Sequence, residues 1–408
     1  MPAVRIDSTL DLVTVISRAI AVSPAVALGE AGVRTARSEG RVASGAYLPS
    51  LSATSNAVRS DVSSTPAIGS NGATSYSAGL ATSLELFTGG RRGADRLRSK
   101  ADLEAADAVN VNQRYQVTLA AERAYYEALR GGDLMMVADA RVARAAGGLR
   151  YAENRVRAGT ATKSDDLRAR LELTTARQQA LASRDTLQAA AFALGRLVGA
   201  DGPVGARAPA SLDPRPLSMS DTAIVQLAVS AAPTVRSAEA SARATEAATR
   251  AARSLYAPDI KLLGGYSVAN QTSIIGAARP GWQVGLGTSF PIFNGYQRED
   301  VVTRSEALAY VSRVSALDAA RSVRADASRL LSALRFAQEN ITLAGDAVVA
   351  AREDLRVQTD RYRAGIATSL DRLTSELAVT QAELGLVAAR YNYQVTRATL
   401  EALVGRPL

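Results

Sequence analysis

The stretch RYRAGIATSLDRL at residues 361–373 is nearly a copy of RVRAGTATKSDDL at residues 155–167. Each copy places Arg-Ala-Gly within a region that otherwise favours helix, and glycine is the residue that most readily ends a helix. The similarity extends well beyond the phrase, because 149–199 aligns with 355–405 without a gap and both end in Leu-Val-Gly. We therefore predict two long helical hairpins, each with its Arg-Ala-Gly turn at the tip.

Shorter segments outside the hairpins are repeated as well. GAYLPSL at 45–51 resembles SLYAPDI at 254–260, and TSLELFTGG at 82–90 resembles TSFPIFNGY at 288–296. The first pair is separated by 209 residues and the second by 206, so the intervening loop is longer in the first copy. A period of about 200 residues indicates a duplicated domain rather than a solenoid of short repeats.

The region 200–220 is rich in proline, glycine and alanine, which is typical of a linker. We predict a tandem duplication in which 1–199 is the first structural repeat and 221–408 is the second. Each repeat is expected to contain helices, two strands and one helical hairpin. The hairpin lies at 91–199 in the first repeat and at 297–403 in the second.

The hairpin regions contain no proline, and each divides into two predicted helices. These are 91–146 and 149–199 in the first hairpin, and 297–348 and 351–403 in the second. In the last of them, mostly apolar residues recur at spacings of three and four, which is the heptad seam of a coiled coil. The seam consists of Leu370, Leu373, Leu377, Thr380, Leu384, Val387 and Tyr391. A helix of about 50 residues is about 75 Å long, far longer than a globular domain of this size needs.

Four other segments alternate with a period of two between apolar residues and small or polar ones. These predicted strands lie at about 51–59, 75–87, 260–269 and 282–293. A length of about ten residues and a single apolar face are typical of transmembrane β-strands, which face lipid on one side and water on the other. A strand of a soluble sandwich has the same pattern, so each strand alone permits both interpretations. Four strands are too few to close a barrel, so a membrane version requires several chains.

The composition excludes much catalytic chemistry, because the chain has no histidine and no cysteine. The commonest general base, the best nucleophile and the usual zinc ligands are therefore missing. Serine or carboxylate chemistry stays open, but we predict that the protein is not an enzyme. We also predict that it binds no cofactor and no metal.

The chain carries 48 lysines and arginines against 39 aspartates and glutamates. Nucleic-acid binding is the first interpretation of such a surplus. However, basic and acidic residues alternate along the helical stretches, as they do on a solvated helix face, so we predict no nucleic-acid partner. The sequence has no run of about 18 uncharged apolar residues and no signal peptide, so it is either cytosolic or a mature chain with its signal removed.

The order, spacing and duplication of these segments resemble the TolC family of outer-membrane exit channels. The most specific points of resemblance are the paired tips, YLPSL and YAPDI at the strand entries, and YNYQVTRATLEALVG at 391–405. The resemblance implies a mixed α and β membrane protein, in which three chains each give four strands to one trimeric 12-stranded β-barrel. A long α-helical coiled-coil barrel would continue it into the periplasm, and the signal peptide would have been removed.

The same resemblance implies a passive homotrimer that contacts outer-membrane lipid and works with two other components. A periplasmic adaptor (membrane fusion protein) and an inner-membrane ABC exporter or proton-driven pump would supply the cargo and the energy. The protein would be the exit duct of this tripartite export machine, for proteins in type I secretion or for small toxic compounds in efflux. The alternative is a soluble coiled-coil scaffold or adaptor protein without channel activity.

The resemblance further implies a gate at the periplasmic end, where aspartates of the hairpin tips form a ring that narrows the channel. Asp371 matches the first of these aspartates by position, whereas the second falls at Thr374, which indicates a weaker ring. Three copies of Asp371 near one axis would concentrate negative charge. The alternative is an acidic residue that stabilises the N-terminus of a helix after the Gly365 break.

A lock between the two tips is also implied by the resemblance. A tyrosine and an arginine of the second hairpin would bind a hydroxyl and an acid of the first. Tyr362 matches that tyrosine, and Ser164 and Asp165 match the hydroxyl and the acid. Alanine occupies the arginine position, at Ala367, so a neighbouring arginine is expected to compensate. The candidates are Arg361, Arg363 and Arg372.

The two Arg-Ala-Gly turns match the points at which relatives meet the adaptor. They consist of Arg157, Ala158 and Gly159 in the first hairpin and of Arg363, Ala364 and Gly365 in the second. Because glycine breaks the helix and exposes backbone groups, a partner hairpin has groups to contact there. The alternative is a plain turn between two helices, without a partner.

The stretch GGRRG at 89–93 admits another function, because glycines combined with arginines can hold phosphate. It lacks the lysine and the serine or threonine of a P-loop. We therefore predict a corner between a strand and a helix, with the arginines near the periplasmic end of the barrel.

Overall fold

The computed structural model describes residues 9–60, 73–270 and 279–408, and from the first helix onward its two halves have the same order of elements. The first half contains β1 (Thr9–Leu10), α1 (Leu12–Val22), α2 (Pro24–Gly45), β2 (Ser50–Ser60), β3 (Ala73–Thr88), α3 (Arg91–Arg157) and α4 (Lys163–Leu197). After β4 (Gly205–Ala206), the second half contains α5 (Asp221–Ala231), α6 (Pro233–Arg253), β5 (Asp259–Asn270), β6 (Arg279–Ser289), α7 (Gln297–Arg363) and α8 (Ser369–Val404).

The chain forms two compact units. The sheet unit consists of Ala31–Ala108 and Arg236–Ala319, and it includes the four long strands. The hairpin unit consists of the residues up to Glu30, of Val109–Val235 and of Ala320–Leu408. Both predicted hairpin tips therefore lie in the hairpin unit.

The sheet unit is built on an antiparallel sheet with the strand order β2-β3-β5-β6. Leu80 of β3 is paired with Ala53 of β2 and with Tyr266 of β5, and Tyr266 is in turn paired with Trp282 of β6. These side chains share one face, because residues directly opposite each other on neighbouring strands point the same way. Trp282 is 79% exposed, so this apolar face is open to its surroundings.

The observed strands differ in their ends from the predicted ones. β2, β3 and β5 extend one or two residues beyond the predicted ranges at each end. The strand predicted at 282–293 begins earlier, at Arg279, and ends at Ser289. It stops there because Pro291 has no backbone N–H to donate to a neighbouring strand.

The longest elements are α3 and α7, which have 67 residues each and are therefore about 100 Å long. The sequence predicts a break at Gly147 and Gly148, but α3 passes through both and ends only at Arg157. Two glycines make a helix about 2 kcal/mol less stable than two alanines, yet they do not prevent helical geometry. Gly148 also leaves room for Arg372, because a Cβ at this position would overlap the guanidinium. In the same way α7 passes the predicted end at residue 348 and continues to Arg363.

The region 200–220 is fixed against the helices of the hairpin unit. β4 pairs in parallel with β1, and the Arg207 N–H donates to the Leu10 carbonyl oxygen at 2.8 Å. The Tyr393 hydroxyl, on a side chain that is fully buried, donates to the Arg215 carbonyl oxygen at 2.9 Å. Because buried tyrosine hydroxyls need a hydrogen-bond partner, this region completes the core as well as connecting the halves.

The core of the hairpin unit lies where the short helices α1 and α5 meet the long ones. Its largest fully buried side chains are Tyr125, Tyr393, Leu194, Ile224 and Leu400. Burying each of these side chains contributes about 1.5–3 kcal/mol, and this burial holds the bases of both hairpins together.

Among the described residues, no single helix is both long and apolar enough to cross a membrane. The bent pair of α1 and α2 meets the criteria of length and composition only when the two helices are taken together. Val15 and Ala19 of α1 are buried in the core of the hairpin unit, where an apolar face of this kind is ordinary.

We expect Gly195→Ala to destabilise the protein and Gly385→Ala to leave its stability unchanged or slightly higher. A Cβ at Gly195 would overlap the carbonyl oxygen of Gly202, and such overpacking costs about 1–3 kcal/mol. A Cβ at Gly385, inside α8, meets no atom within 4 Å, so alanine there brings only its better helix propensity of about 1 kcal/mol. Thermal melting followed by circular dichroism at 222 nm measures both variants, and equal melting temperatures would contradict this description of the α4 contact.

Candidate functional site at the hairpin tips

The first hairpin turns at a glycine in the left-handed conformation. Gly159 has a φ of 73°, and its N–H donates to the Val156 carbonyl oxygen at 3.1 Å. The next N–H, of Thr160, donates to the Arg155 carbonyl oxygen at 2.9 Å. These two bonds form a Schellman motif, which satisfies the last carbonyl groups of α3 and reverses the chain.

The second hairpin turns in the same way. Gly365 has a φ of 79°, its N–H donates to the Tyr362 carbonyl oxygen at 3.2 Å, and the Ile366 N–H donates to the Arg361 carbonyl oxygen at 2.9 Å. Other L-residues rarely adopt this φ, so glycine is required at both turns. The arginine, alanine and glycine of each turn are exposed at the tip: Arg157, Ala158, Gly159, Arg363, Ala364 and Gly365.

The helices that leave the tips, α4 and α8, both begin with a capping box. Thr368 donates its N–H and its hydroxyl to the Asp371 carboxylate, each at 2.8 Å, and the Asp371 N–H donates to the Thr368 hydroxyl oxygen at 3.2 Å. Thr162 and Asp165 make the same three bonds in the first hairpin. The pattern Thr-x-x-Asp occurs in both copies of the opening phrase, so the sequence itself carries the signal for this cap.

Asp371 is thus the N-terminal acid of α8, as the alternative interpretation predicts. The backbone N–H of Thr368, followed by its hydroxyl, holds the pKa of Asp371 below its usual value. Thr374 lies one turn later, is exposed like Asp371, and donates its hydroxyl to the Leu370 carbonyl oxygen at 2.9 Å. Within one chain, both side chains are therefore engaged in their own helix.

A direct hydrogen bond joins the two tips. The Ser369 hydroxyl of the second hairpin donates to the Asp165 carboxylate of the first at 2.6 Å. This bond is the main reason why the pKa of Asp165 is lowered, ahead of the backbone N–H of Thr162. The hydroxyl expected from the resemblance, Ser164, is exposed and makes no side-chain hydrogen bond with the described residues. Asp165 therefore bonds to the second hairpin, but its partner is the Ser369 hydroxyl and not the tyrosine or arginine that the resemblance implies.

Tyr362 is 4% exposed and lies between aromatic and cationic side chains. Its ring centroid is 5.3 Å from that of Tyr151, 4.9 Å from the Arg155 guanidinium and 5.9 Å from the Arg372 guanidinium. Among the described residues, its hydroxyl bonds to neither Ser164 nor Asp165. Tyr362 thus contacts the first hairpin through its ring, with Tyr151 and Arg155 as partners in place of Ser164 and Asp165.

The arginine that faces Tyr362 comes from the first hairpin and not from the position of Ala367. Arg155 donates to the Thr160 carbonyl oxygen at 2.9 Å and to the Tyr362 carbonyl oxygen at 3.4 Å, in addition to lying over the ring. Of the three neighbours named as substitutes, only Arg372 approaches this ring. Arg155 precedes the Arg-Ala-Gly turn by two residues, and its role depends on the packing between hairpins.

Behind the tips, ion pairs neutralise the charges that lie between the helices. The Arg372 guanidinium is 2.9 Å from the Glu376 carboxylate, while Glu383 accepts from Arg352 at 2.7 Å and from Arg144 at 3.3 Å. Burial raises the pKa of Glu376, against the opposing effect of Arg372. Because Arg144 belongs to α3 and Glu383 to α8, this network connects the hairpins as the tip contacts do.

No group of three or more Asp or Glu side chains is arranged to hold a metal ion in the described ranges. The arrangement at the tips therefore consists of side-chain contacts that fasten one helical hairpin to another. It presents two glycine turns and two capped helices at its surface.

Comparison with known proteins identifies the family. The model of the family described as "Outer membrane efflux protein" matches residues 15–200 and 224–406. The chain belongs to this family. The chain is 26% identical over 409 residues to the pyoverdine export outer membrane protein OpmQ of Pseudomonas aeruginosa, a match that covers 97% of the chain and 84% of OpmQ.

Solved structures share the fold of the chain. The outer membrane protein VceC of Vibrio cholerae has a TM-score of 0.83 at 19% identity, and the match covers 97% of the chain and 96% of VceC. CusC has a TM-score of 0.86 at 18% identity, covering 97% of the chain and 92% of CusC. The predicted resemblance to the TolC family is thereby confirmed, as are the outer-membrane location, the periplasmic position of the helical part and the absence of enzymatic activity.

We expect Tyr362→Phe to behave like the parent protein and Tyr362→Ala to loosen the tips. Phenylalanine keeps the ring between Tyr151 and Arg155, whereas loss of a buried aromatic side chain costs about 3–5 kcal/mol. The measurement is the rate of trypsin cleavage at the exposed tip arginines, Arg157 and Arg363. Cleavage of the phenylalanine variant as fast as that of the alanine variant would show that the hydroxyl, and not the ring, holds the tips.

Proposed function

We propose that the chain is the passive exit duct of a tripartite export machine in the outer membrane. The observation that carries this proposal is the four-stranded sheet, which exposes an apolar face and two edges. In the part of the chain that the structure describes, β2 and β6 have no strand on their outer sides. Unpaired backbone groups at such edges are not tolerated in lipid, and three copies joined edge to edge would close a barrel of 12 strands and pair them all.

A homotrimer of this kind would place the row of Leu80, Tyr266 and Trp282 against outer-membrane lipid. Its long helices would continue as a coiled-coil barrel in the periplasm. The matching lengths of the helices support a tandem duplication, since α3 and α7 both have 67 residues and α4 and α8 have 35 and 36. The structural repeats in this proposal are 1–199 and 221–408, with 200–220 between them.

The cargo that we favour is a small compound. The relative OpmQ, named for pyoverdine export, supports this choice because the similarity covers nearly the whole chain. Carriage of proteins by the type I route rests on the family resemblance alone. In either case a periplasmic adaptor and an inner-membrane pump, an ABC exporter or a proton-driven one, would supply cargo and energy.

We assign the gate of this duct to the hairpin tips. Around the axis of a trimer, three Asp371 carboxylates would face one another, with Thr374 one turn further along each helix. The lowered pKa of Asp371 supports this role, because the carboxylates would keep their charge at neutral pH. The adaptor would contact the exposed turns formed by Arg157, Ala158, Gly159, Arg363, Ala364 and Gly365.

The lock of this gate combines expected and unexpected residues. Tyr362 and Asp165 are residues that the resemblance names, but their partners differ from the implied ones: the ring of Tyr362 contacts Arg155, and Asp165 accepts a hydrogen bond from Ser369. Each pair joins one hairpin to the other, so both must separate before the tips move apart.

We expect Arg155→Gln and Ser369→Ala to raise the basal conductance of the channel, and the double variant to raise it further. Each change removes one contact between the hairpins. The matched controls are Arg157→Gln and Ser164→Ala. Among the described residues, the Arg157 side chain bonds only to Asn154 of its own helix, and the Ser164 side chain makes no hydrogen bond. Single-channel recording in planar bilayers measures the conductance, and controls that leak as much as the test variants would contradict the assignment.

The duct itself is tested by the state of the purified chain. We expect it to require detergent, to elute as a trimer, and to appear as a three-fold tube by electron microscopy. Channels formed in planar bilayers should conduct ions, and the gene should restore export of a small toxic compound in a strain lacking its own duct. A chain that is monomeric and soluble without detergent would instead support the coiled-coil scaffold.

A further inference from the structure

A cleft of about 870 Å³ lies between α2 and α3, wholly within the sheet unit. Four basic side chains line it, and its lining contains no acidic residue. The four are Arg37 and Arg41 of α2 and Arg96 and Lys100 of α3. They are exposed, and none makes a salt bridge with the residues that the structure describes. Four unpaired cations around one cleft create a positive potential that attracts anions.

The acidic residues near the cleft either pair with other arginines or lie on the opposite side of their helix. On α3, Asp102 pairs with Arg98 at 3.6 Å and Glu104 pairs with Arg243 at 2.7 Å. Glu39 of α2 is two positions from Arg37 and from Arg41, which places it on the opposite side of the helix. Among the described residues, the cations of the cleft therefore have no acidic partner.

The corresponding groove of the second half is neutralised, although the fold is the same. By the spacing of the repeated segments, Arg37 corresponds to Glu246 and Lys100 corresponds to Glu306. Glu306 pairs with Arg253 at 2.7 Å, and Glu246 pairs with an arginine of α7 at 3.1 Å. Of the four cationic positions, the second half keeps only one, as Arg250, so the helix pair does not need four basic side chains in order to pack.

The cleft also offers an apolar surface beside its charges. Leu48 is 68% exposed and Leu97 is 51% exposed, and both line it together with Tyr47. Its floor includes Gly40 and Gly45, where an added Cβ would meet no atom within 4 Å, so the space above them is open. A ligand that fits this lining has an anionic group next to a hydrocarbon chain.

We propose that the cleft binds an anionic phospholipid, with its phosphate between the four basic side chains and an acyl chain against Leu48 and Leu97. The position of the cleft supports this ligand, because α2 ends at Gly45 and β2 begins at Ser50. The inference rests on the proposed function: if the sheet spans the outer membrane, the cleft lies at the level of the phosphates in the periplasmic leaflet. The bound lipid would fix the depth at which the sheet sits in the membrane.

The test compares lipid binding by three forms of the detergent-purified full-length protein, using native mass spectrometry with added phosphatidylglycerol or neutral phosphatidylcholine. The first form is the parent protein, and the second is R41Q/R96Q. The third is the control R250Q/R321Q, which loses the same charge at exposed arginines outside the cleft. We expect the parent protein and the control to prefer phosphatidylglycerol, and the cleft variant to bind it about thirtyfold more weakly.

Equal binding of phosphatidylglycerol by all three forms would overturn the proposal. Glycerol phosphate serves as a competitor without acyl chains, and displacement of the lipid at equal concentration would show a site for soluble phosphates instead. Dissociation of R41Q/R96Q into monomers would show that the cleft seats a second copy of the chain. The proposed function is judged separately by trimer formation and conductance of the parent protein, so a conducting trimer without lipid preference contradicts this inference alone.

Discussion

Two glycines in the left-handed conformation determine where everything else at the hairpin tips is placed. The regular hydrogen bonding of a helix of 67 residues does not itself determine where the helix ends. Each glycine ends its helix, because it adopts the left-handed conformation and reverses the chain at negligible steric cost. The capping boxes begin the return helices only a few residues later, so each turn is short and rigid. Tyr362 and Asp371 owe their positions to this geometry, because one precedes the turn and the other follows it at fixed distances along the chain.

The open edges of the sheet impose the second constraint. Within the described residues, the outer strands of the sheet are unpaired and its apolar face is exposed, so the sheet is incomplete as an isolated object. Membership of a family of outer-membrane proteins makes assembly in the membrane the natural completion. In the proposed trimer, the sheet would be completed by other copies. The helical hairpins, in contrast, are already fastened to each other within one chain, through Ser369 with Asp165 and through Tyr362 with Arg155. Membrane insertion and gating would thus depend on different sets of contacts.

The parts of the structure that follow from local chemistry were predictable from the sequence. Glycine in a proline-free helical region indicates the turns, and alternation of apolar residues indicates the strands. The alternation alone does not show that β6 ends before Pro291. The capping boxes were equally predictable from the pattern Thr-x-x-Asp. The break expected at Gly147 and Gly148 was wrong, because two glycines weaken a helix by only about 2 kcal/mol and do not prevent helical geometry. The contacts of Arg155 and Ser369 could not be predicted from the sequence, because their partners lie more than 200 residues away and are determined by packing between the hairpins.

The contacts between the two tips are made almost entirely by side chains, and this sets the energy scale of their separation. Ser369 is joined to Asp165 by a hydrogen bond and Arg155 to Tyr362 by a cation–π contact, without strand pairing or a shared helix. A hydrogen bond or a cation–π contact contributes about 1 kcal/mol. Parting the tips would therefore cost only a few kcal/mol and leave both glycine turns intact. A partner that binds the parted form about 10⁴-fold more tightly than the joined form supplies about 5.5 kcal/mol, enough to convert a rare conformation into the prevailing one. The binding free energy of a partner is thus sufficient by itself to separate the tips, without coupling to a chemical reaction.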